Sequence, residues 1–549
     1  MNRKLLPEIP LKEIPRWEEL NRLIRQLENA APELLRVRSI GTSREGRELL
    51  LLTVTEFAEG APEDRPALFV MGEIHATELN MSILHFTRKL LAEHRPGGIL
   101  SRRVFYLIPR INPDGAELVL ERSFGYIRSQ TPEFEDRPNT LRPADVDGDG
   151  RILTMLVPSP TGTSVKDPLE PRLLIARTPE SEGPFYHAMS EGLIHDWDGS
   201  DSFHSSWPLV DWNRNWPSGW QPKPEHGALP LAAPETRAVA DFLAEHRNIF
   251  SAVSIHVGGE AILIPPGRKE AAVEPFDRKI LWALGQAAKE CCNVPVYANC
   301  EYNMPPFRWL WPFSDRPGTF QDFCYQHLGI PNADLEIGGG LYSACGVGSA
   351  ELEKLQSWEE FHALNRRLLA WYDRQPDSPE LCVPWRKFRH PQLGEVEIGG
   401  MIPLIFNLSP VSRRFDEAEA LSRFYRKLAE RGPELVWTEA VAEPLGGEFW
   451  RIRATVANCG ELSTHLTRKA VMNQRFSASL LAFRCAENVE LLSRERVLEF
   501  GELAGFSGKC SGEWVVRAPG DVSMLGVASV DCGAAGRKRI TISKTGKTG

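Results

Sequence analysis

Several features that would assign a class outright are missing from this chain. No stretch is both long and apolar enough to span a bilayer. The opening residues, MNRKLLPEIPLKEIPRWEEL, hold no sustained apolar core and so do not read as a secretory leader. No long basic run occurs, which argues against a nucleic-acid partner. The ten cysteines are scattered. Only Cys291 and Cys292 are adjacent, and there is no Cys-x-x-Cys pair. That distribution is the one expected of reduced thiols in a cytoplasmic protein. Internal repeats are absent as well.

What is present is the composition of a soluble globular protein, with 42% hydrophobic and 25% charged residues and a net charge of −9. At 549 residues the chain is long enough for two or three domains. A helix is expected over 15–37, then a hairpin turning at Gly41 and Gly46 into the run Leu49–Val54. Apolar runs recur at 67–71, 104–108, 252–255 and 333–337. Helical periodicity marks 79–94, 234–247, 277–291 and 359–373. Alternating strands and helices imply an α/β fold, with a mixed, largely parallel central sheet flanked by helices. Residues 130–210 are rich in Pro, Gly, Asp and Trp and too long for a simple loop, so they are expected to form an ordered insertion. The boundaries follow: an α/β domain over 1–385, a linker and helix over 386–431, and short alternating strands over 432–545 that form a C-terminal all-β sandwich.

The chemistry starts at GEIHATELN, residues 72–80. His75 and Glu78 stand three apart where a strand ends and a helix begins. A His-x-x-Glu followed by a distant histidine is one way to build a catalytic zinc site, with three protein ligands and one open position. By itself the pair is weak, since ordinary loop residues share the spacing. Other segments add weight: IGTSREGREL, INPDG at 111–115, DWNRNW at 211–216, APETRAVADFL at 233–243, SIHVGG at 254–259, PGTFQDFCYQHLGIP, and NADLEIGG at 332–339. In this order they resemble the zinc carboxypeptidases, and the resemblance covers about residues 15–375.

The resemblance implies that His75, Glu78 and His256 hold one zinc ion. It implies that Glu336, an acidic residue inside an apolar strand, is the general base that takes a proton from the attacking water and later delivers it to the leaving amine. Asn213 and Arg214 match the pair that grips a terminal carboxylate, for which a planar guanidinium fork is suited. Arg128 fits the arginine that stabilises the developing oxyanion, with Arg122 as its rival. The substrate implied is a peptide or another carboxylate-bearing molecule. The family's mobile tyrosine has no counterpart, because Ser314 takes its place; Tyr302, Tyr325 and Tyr342 are the nearby alternatives. Gln321, near the position that sets side-chain preference, selects no obvious basic or bulky apolar group.

DVDGDGRIL at 145–153 places Asp145, Asp147 and Asp149 at alternate positions with Gly150 sixth, like the front of a calcium loop. Its twelfth residue is Leu156 rather than Glu, so an Asp/Gly turn is the rival reading. Trp197, Trp207, Trp212, Trp216 and Trp220 fit either a cleft lining or the core of the insertion. Two functions compete with a carboxypeptidase: a related zinc amidohydrolase acting on a small modified substrate, and a zinc-dependent binding protein without turnover. The oligomeric state is not legible.

Overall fold

The computed structural model describes residues 6–131, 136–200, 202–205, 209–302, 315–338, 345–347, 351, 354–355, 357–375, 380–402 and 408–544, with the backbone of 546–548. Eight strands form its central sheet: β1 (Leu35–Thr42), β2 (Glu48–Val54), β3 (Ala67–Gly72), β4 (Val104–Ile108), β5 (Ile249–His256), β6 (Ala261–Ile264), β7 (Val296–Ala298) and β8 (Asn332–Glu336). Their spatial order is β1-β2-β4-β3-β5-β8-β6-β7. The middle pairs β4/β3, β3/β5 and β5/β8 are parallel, as is β6/β7 at one edge. β1/β2, β2/β4 and β8/β6 are antiparallel. The expected mixed, largely parallel sheet is therefore present. β3 and β5 are buried at every residue, which is why they read as continuous apolar runs rather than alternating ones.

Alternate residues of β3 feed two cores. Leu68 and Val70 pack with helices α1 (Trp17–Ala30), α2 (Ser82–Glu93), α5 (Pro275–Cys292) and α7 (Val411–Glu430). Phe69 and Met71 face the opposite way, toward α4 (Pro234–Glu245), Trp212, Trp216 and Phe320. α1 ends at Ala30, not 37, and Leu35 already begins a strand. Pro32 between them cannot donate a helical hydrogen bond. Trp212 and Trp216 belong to the core of the unit that holds the central sheet, neither cleft lining nor insertion. Trp197 packs in the insertion, and Trp207 lies outside the described residues.

The insertion is ordered. Strands Thr154–Pro158, Ser164–Lys166, Leu174–Ala176 and Tyr186–Ser190 form a sheet with Cys382–His390 and Gly394–Met401. Residues 386–401, expected as the start of a linker, thus form a hairpin whose second strand pairs with Thr154–Pro158. Their partners lie more than 200 residues away, a pairing that no local pattern announces.

The C-terminal unit has two antiparallel sheets. One holds Leu435–Gly446, Phe449–Asn458, Lys509–Arg517 and Glu490–Leu491; the other holds Val497–Phe500, Ser479–Cys485, Met524–Asp531, Arg537–Ser543 and Gly546–Thr548. Ile452, Val456 and Trp514 from the first sheet meet Leu481, Phe483 and Val530 from the second in one core. The sandwich is tied to the unit that holds the central sheet by buried polar groups. Arg103 donates to Ala429 O at 2.7 Å, Gly432 O at 3.2 Å and Glu434 Oε2 at 3.1 Å. Asp277 accepts from the backbone N–H groups of Arg468 and Lys469. Arg475 donates to Leu243 O and His246 O. None of the ten cysteines is in a disulfide. Among the described residues, no helix is long and apolar enough to cross a membrane.

Candidate active site

The C-terminal ends of β3, β5 and β8 open on one side of the sheet, where open α/β sheets place their ligands. His75 and Glu78 sit in the loop after β3. Two devices hold that loop. Glu73, at φ 61°, accepts from Asn80 N at 2.9 Å and pairs with buried Arg110 through a short contact. Asn112, the first residue of NPDG, caps helix α3 (Pro113–Arg122) by accepting from Gly115 N at 3.0 Å. Its amide donates to Ile74 O at 3.2 Å and Ser129 O at 2.8 Å, joining the histidine loop to the segment that carries Arg128. Gly115 is required here: a Cβ on it would lie 2.8 Å from that of Ala76. Asp114 accepts from Ser43 Oγ, Glu45 N and Arg47, so IGTSREGREL braces the same corner.

Three donors converge. His75 Nδ1 lies 2.8 Å from Glu78 Oε1, His256 Nδ1 lies 3.0 Å from Glu78 Oε2, and the two Nδ1 atoms are 3.4 Å apart. His256 is the last residue of β5, which fixes its ring at the cleft mouth. The outer nitrogens are committed elsewhere. His75 Nε2 meets Asp211 Oδ1 at 3.0 Å, and His256 Nε2 meets Ser254 Oγ at 3.1 Å. A carboxylate only accepts, so Asp211 keeps the proton on Nε2 of His75 and turns the Nδ1 lone pair inward. One carboxylate and two imidazoles with their ligand atoms within 4.8 Å of one another, nearly sealed from solvent, are a donor set suited to zinc. Burial opposes the charge on Glu78, yet His75 and His256 hold its carboxyl well below the usual range. Burial likewise pulls His256 down, but Glu78, with Asp334 and Glu336 adding to it, raises the imidazole to about 9.

Glu336 occupies the same rung as His256 in the parallel register of β5 and β8. It makes no hydrogen bond or ion pair with any other described residue. Burial raises its pKa, with His256 opposing and Glu78 adding to the rise. A half-buried carboxylate whose side chain has no partner among the described residues is a candidate functional group, because leaving such a group unpaired is costly for stability.

Asp211 is the residue that reasoning from the sequence passed over, although it opens the quoted DWNRNW. It accepts from His75, from Asn213 N at 2.7 Å and from Arg128 Nε at 3.3 Å. Arg128 also donates to Glu78 Oε1 at 3.2 Å. The rival Arg122 is exposed at the end of α3. Asn213 accepts from Phe320 N at 2.9 Å, and the Arg214 guanidinium donates to Asn213 O. The structure thus brings His75, Glu78, His256, Asp211 and Arg128 into one network, and His256 and Glu336 share a rung.

Of the tyrosines, Tyr325 is buried and donates to Asp277. Tyr302 lies beside Glu336, since a Cβ on Gly259 would meet both within 3.0 Å, and its hydroxyl donates to Gly259 O. Ser314 and Tyr342 fall outside the described residues. Gln321 is fully buried and spent internally, accepting from Asn299 and donating to Leu263 O. Asp145, Asp147 and Asp149 do cluster. However, Arg386 donates to Asp147 at 3.2 Å and Asp149 at 2.5 Å, and Arg151 also reaches Asp149.

A mixed α/β sheet with a His-Glu-His donor set at its strand ends defines a metallohydrolase-like class. The zinc carboxypeptidase family model matches residues 20–147 and 197–342, and the chain belongs to that family. The unmatched stretch between the two segments falls within the insertion. A second model, described as a domain of unknown function, matches residues 434–543. Carboxypeptidase B of Astacus astacus is 33% identical over 102 residues, 18% of this chain and 32% of that protein. Carboxypeptidase A1 of Sus scrofa is 30% identical over 138 residues, 24% of this chain and 32% of that protein. The matched segment thus spans about a third of each of these relatives. Among solved structures, thrombin activatable fibrinolysis inhibitor aligns at 14% identity with TM-score 0.43, covering 79% of this chain and 77% of that one. Carboxypeptidase A from Helicoverpa armigera aligns at 17% identity with TM-score 0.39, covering 66% and 76%.

Proposed function

We propose that this chain is a zinc-dependent metallocarboxypeptidase that hydrolyses the C-terminal peptide bond of peptides. The observation that carries this reading is the convergence of His75, Glu78 and His256 beside an unpartnered Glu336 one strand away. When bound, zinc would supply Lewis acidity and make a water acidic enough to act near neutral pH. The protein residues divide the remaining work. The Glu336 carboxylate accepts a proton from the attacking water and returns it to the departing amine nitrogen. Arg214 and Asn213 orient the terminal carboxylate, which restricts cleavage to chain ends. Arg128, part-exposed and anchored on Asp211, offers its guanidinium to the carbonyl oxygen as negative charge develops there. Glu336 also argues against a binding protein without turnover, because binding alone does not need an unpaired carboxylate. Calcium at Asp145, Asp147 and Asp149 enters the reading only in competition with Arg386, which pairs with Asp147 and Asp149. The deciding experiment is hydrolysis of N-blocked dipeptides by the zinc-loaded protein. Cleavage that is lost on C-terminal amidation supports a carboxypeptidase. Cleavage indifferent to amidation, or none at all, overturns it.

A further inference from the structure

We propose that the pocket beside Arg214 selects peptides ending in an acidic residue, with Arg316 as the specificity-determining side chain. The inference rests on the carboxypeptidase reading and names the substrate class of that site. Gln321 cannot set the preference, because both ends of its amide are bonded internally, to Asn299 and Leu263. The same Asn299 accepts from Arg316 through its backbone and side-chain oxygens, and Arg316 also donates to Tyr302 O at 2.6 Å. These bonds fix the guanidinium but give it no counter-charge, since every acceptor is a neutral carbonyl. Among the described residues, neither Arg316 nor Arg214 has a carboxylate oxygen within 4.0 Å. A guanidinium cannot shed its proton in a protein, so both remain charged.

The two arginines share one wall. Asn213 accepts from Phe320 N, and Gly318, two residues after Arg316, packs so closely that a Cβ on it would lie 2.3 Å from Arg214 O. The Arg316 guanidinium lies over the Tyr302 ring, 5.4 Å from its centroid, and Tyr302 in turn lies beside Glu336. Arg316 is only part-buried and has five N–H groups, more than its three bonds consume. A C-terminal Glu or Asp carries two carboxylates, one for each cation. The opposing possibility is a basic side chain drawn by Asp322 and Asp334. Those carboxylates are 0% and 1% exposed, so neither is presented to an incoming side chain.

The test compares matched N-blocked dipeptides ending in Glu, Leu or Lys. The kcat/KM of the zinc-loaded wild type should favour Glu by about 10- to 100-fold, the size of one charge-assisted hydrogen bond. Arg316→Gln should remove that preference with a much smaller effect on the Leu substrate, and Arg316→Glu should shift it toward Lys. Calorimetric binding of N-acetylglutamate against N-acetylleucine gives a readout that needs no turnover. If no dipeptide is cleaved but N-acetylglutamate binds more tightly in an Arg316-dependent way, the proposed activity fails and the pocket assignment holds. If wild type cleaves Leu or Lys substrates as well as Glu, the assignment is wrong, whatever the variants do.

Discussion

Replacing Asp211 tests whether the protein's own hydrogen bonds prepare the metal site. Asp211 accepts from His75 Nε2 at 3.0 Å, Asn213 N at 2.7 Å and Arg128 Nε at 3.3 Å. In Asp211→Asn the outline survives, but the amide must present an N–H₂ to either His75 or Arg128, both donors. One charge-assisted hydrogen bond is lost, worth about 1.5–3 kcal/mol. Loss of a group that orients a ligand histidine typically lowers metal affinity by about 10- to 100-fold. At about 1.4 kcal/mol per factor of ten, the two estimates agree. Asp211→Ala should do more. It frees the His75 ring and leaves Arg128 with Glu78 Oε1, 3.2 Å away, as its remaining carboxylate partner among the described residues. A guanidinium drawn further onto Glu78 competes with the cation for the same oxygen. The assay is competition for zinc against a chromophoric chelator, with circular dichroism and thermal melting of the metal-free proteins as the check on folding. A folded Asp211→Ala variant that binds zinc within about twofold of wild type would refute the reasoning, because preorganisation by Asp211 would then contribute little.

Four further outcomes are expected. His75→Ala and His256→Ala should each lose stoichiometric zinc by metal analysis; full retention in both would move the site elsewhere. Glu336→Gln should keep zinc and substrate affinity but lose about 10²- to 10⁴-fold in kcat, so near-normal turnover removes it from the mechanism. Arg110→Met strands the buried Glu73 carboxylate and should cost about 3–5 kcal/mol in urea unfolding, with the double variant Glu73→Gln/Arg110→Met recovering most of it. Ending the chain after residue 385 should abolish soluble protein, because it removes strand Gly394–Met401 from the insertion sheet and α7 from the main core; a soluble truncation that binds zinc would show residues 386–549 to be dispensable for folding.

The parts of the fold that the sequence discloses are those where local pattern and tertiary role coincide. Runs 67–71, 104–108, 252–255 and 333–337 are continuous because the strands are buried on both faces, and each falls in the central sheet. The helices over 79–94, 234–247, 277–291 and 359–373 form within a few residues of those bounds, since their apolar stripes face a core. β6 and β7, at four and three residues, are too short to show a period. The hairpin over 382–401 was illegible for a different reason: its second strand finds its partner across the insertion, and sequence distance hides such pairing. The site divides in the same way. Its proposed ligands sit in recognisable motifs, whereas Asp211 carries no signal of its own within DWNRNW, and in the structure it also caps a short helix by accepting from Asn213 N.

On the proposed reading, the register of β5 and β8 is what couples metal holding to proton transfer. His256 and Glu336 are Cα partners in a parallel ladder, and the pairs Ser254/Asp334 and Ala252/Asn332 lie on the same face below them. A slip of one residue would turn Glu336 to the other side of the sheet and put Ile337 or Leu335 in its place. The slip is resisted from both faces, because Ile255 and Leu335 are committed to one core and Ala252 to the other. On the other side of β8, β6 pairs Ala261 with Glu336 and Ile262 with Leu335, so the rung is pinned by two neighbours. The apolar runs that looked like mere core therefore set the spacing between ligand and base. The backbone ladder also holds Glu336 in position although its carboxylate bonds to no other described residue, which on the proposed reading leaves it for substrate.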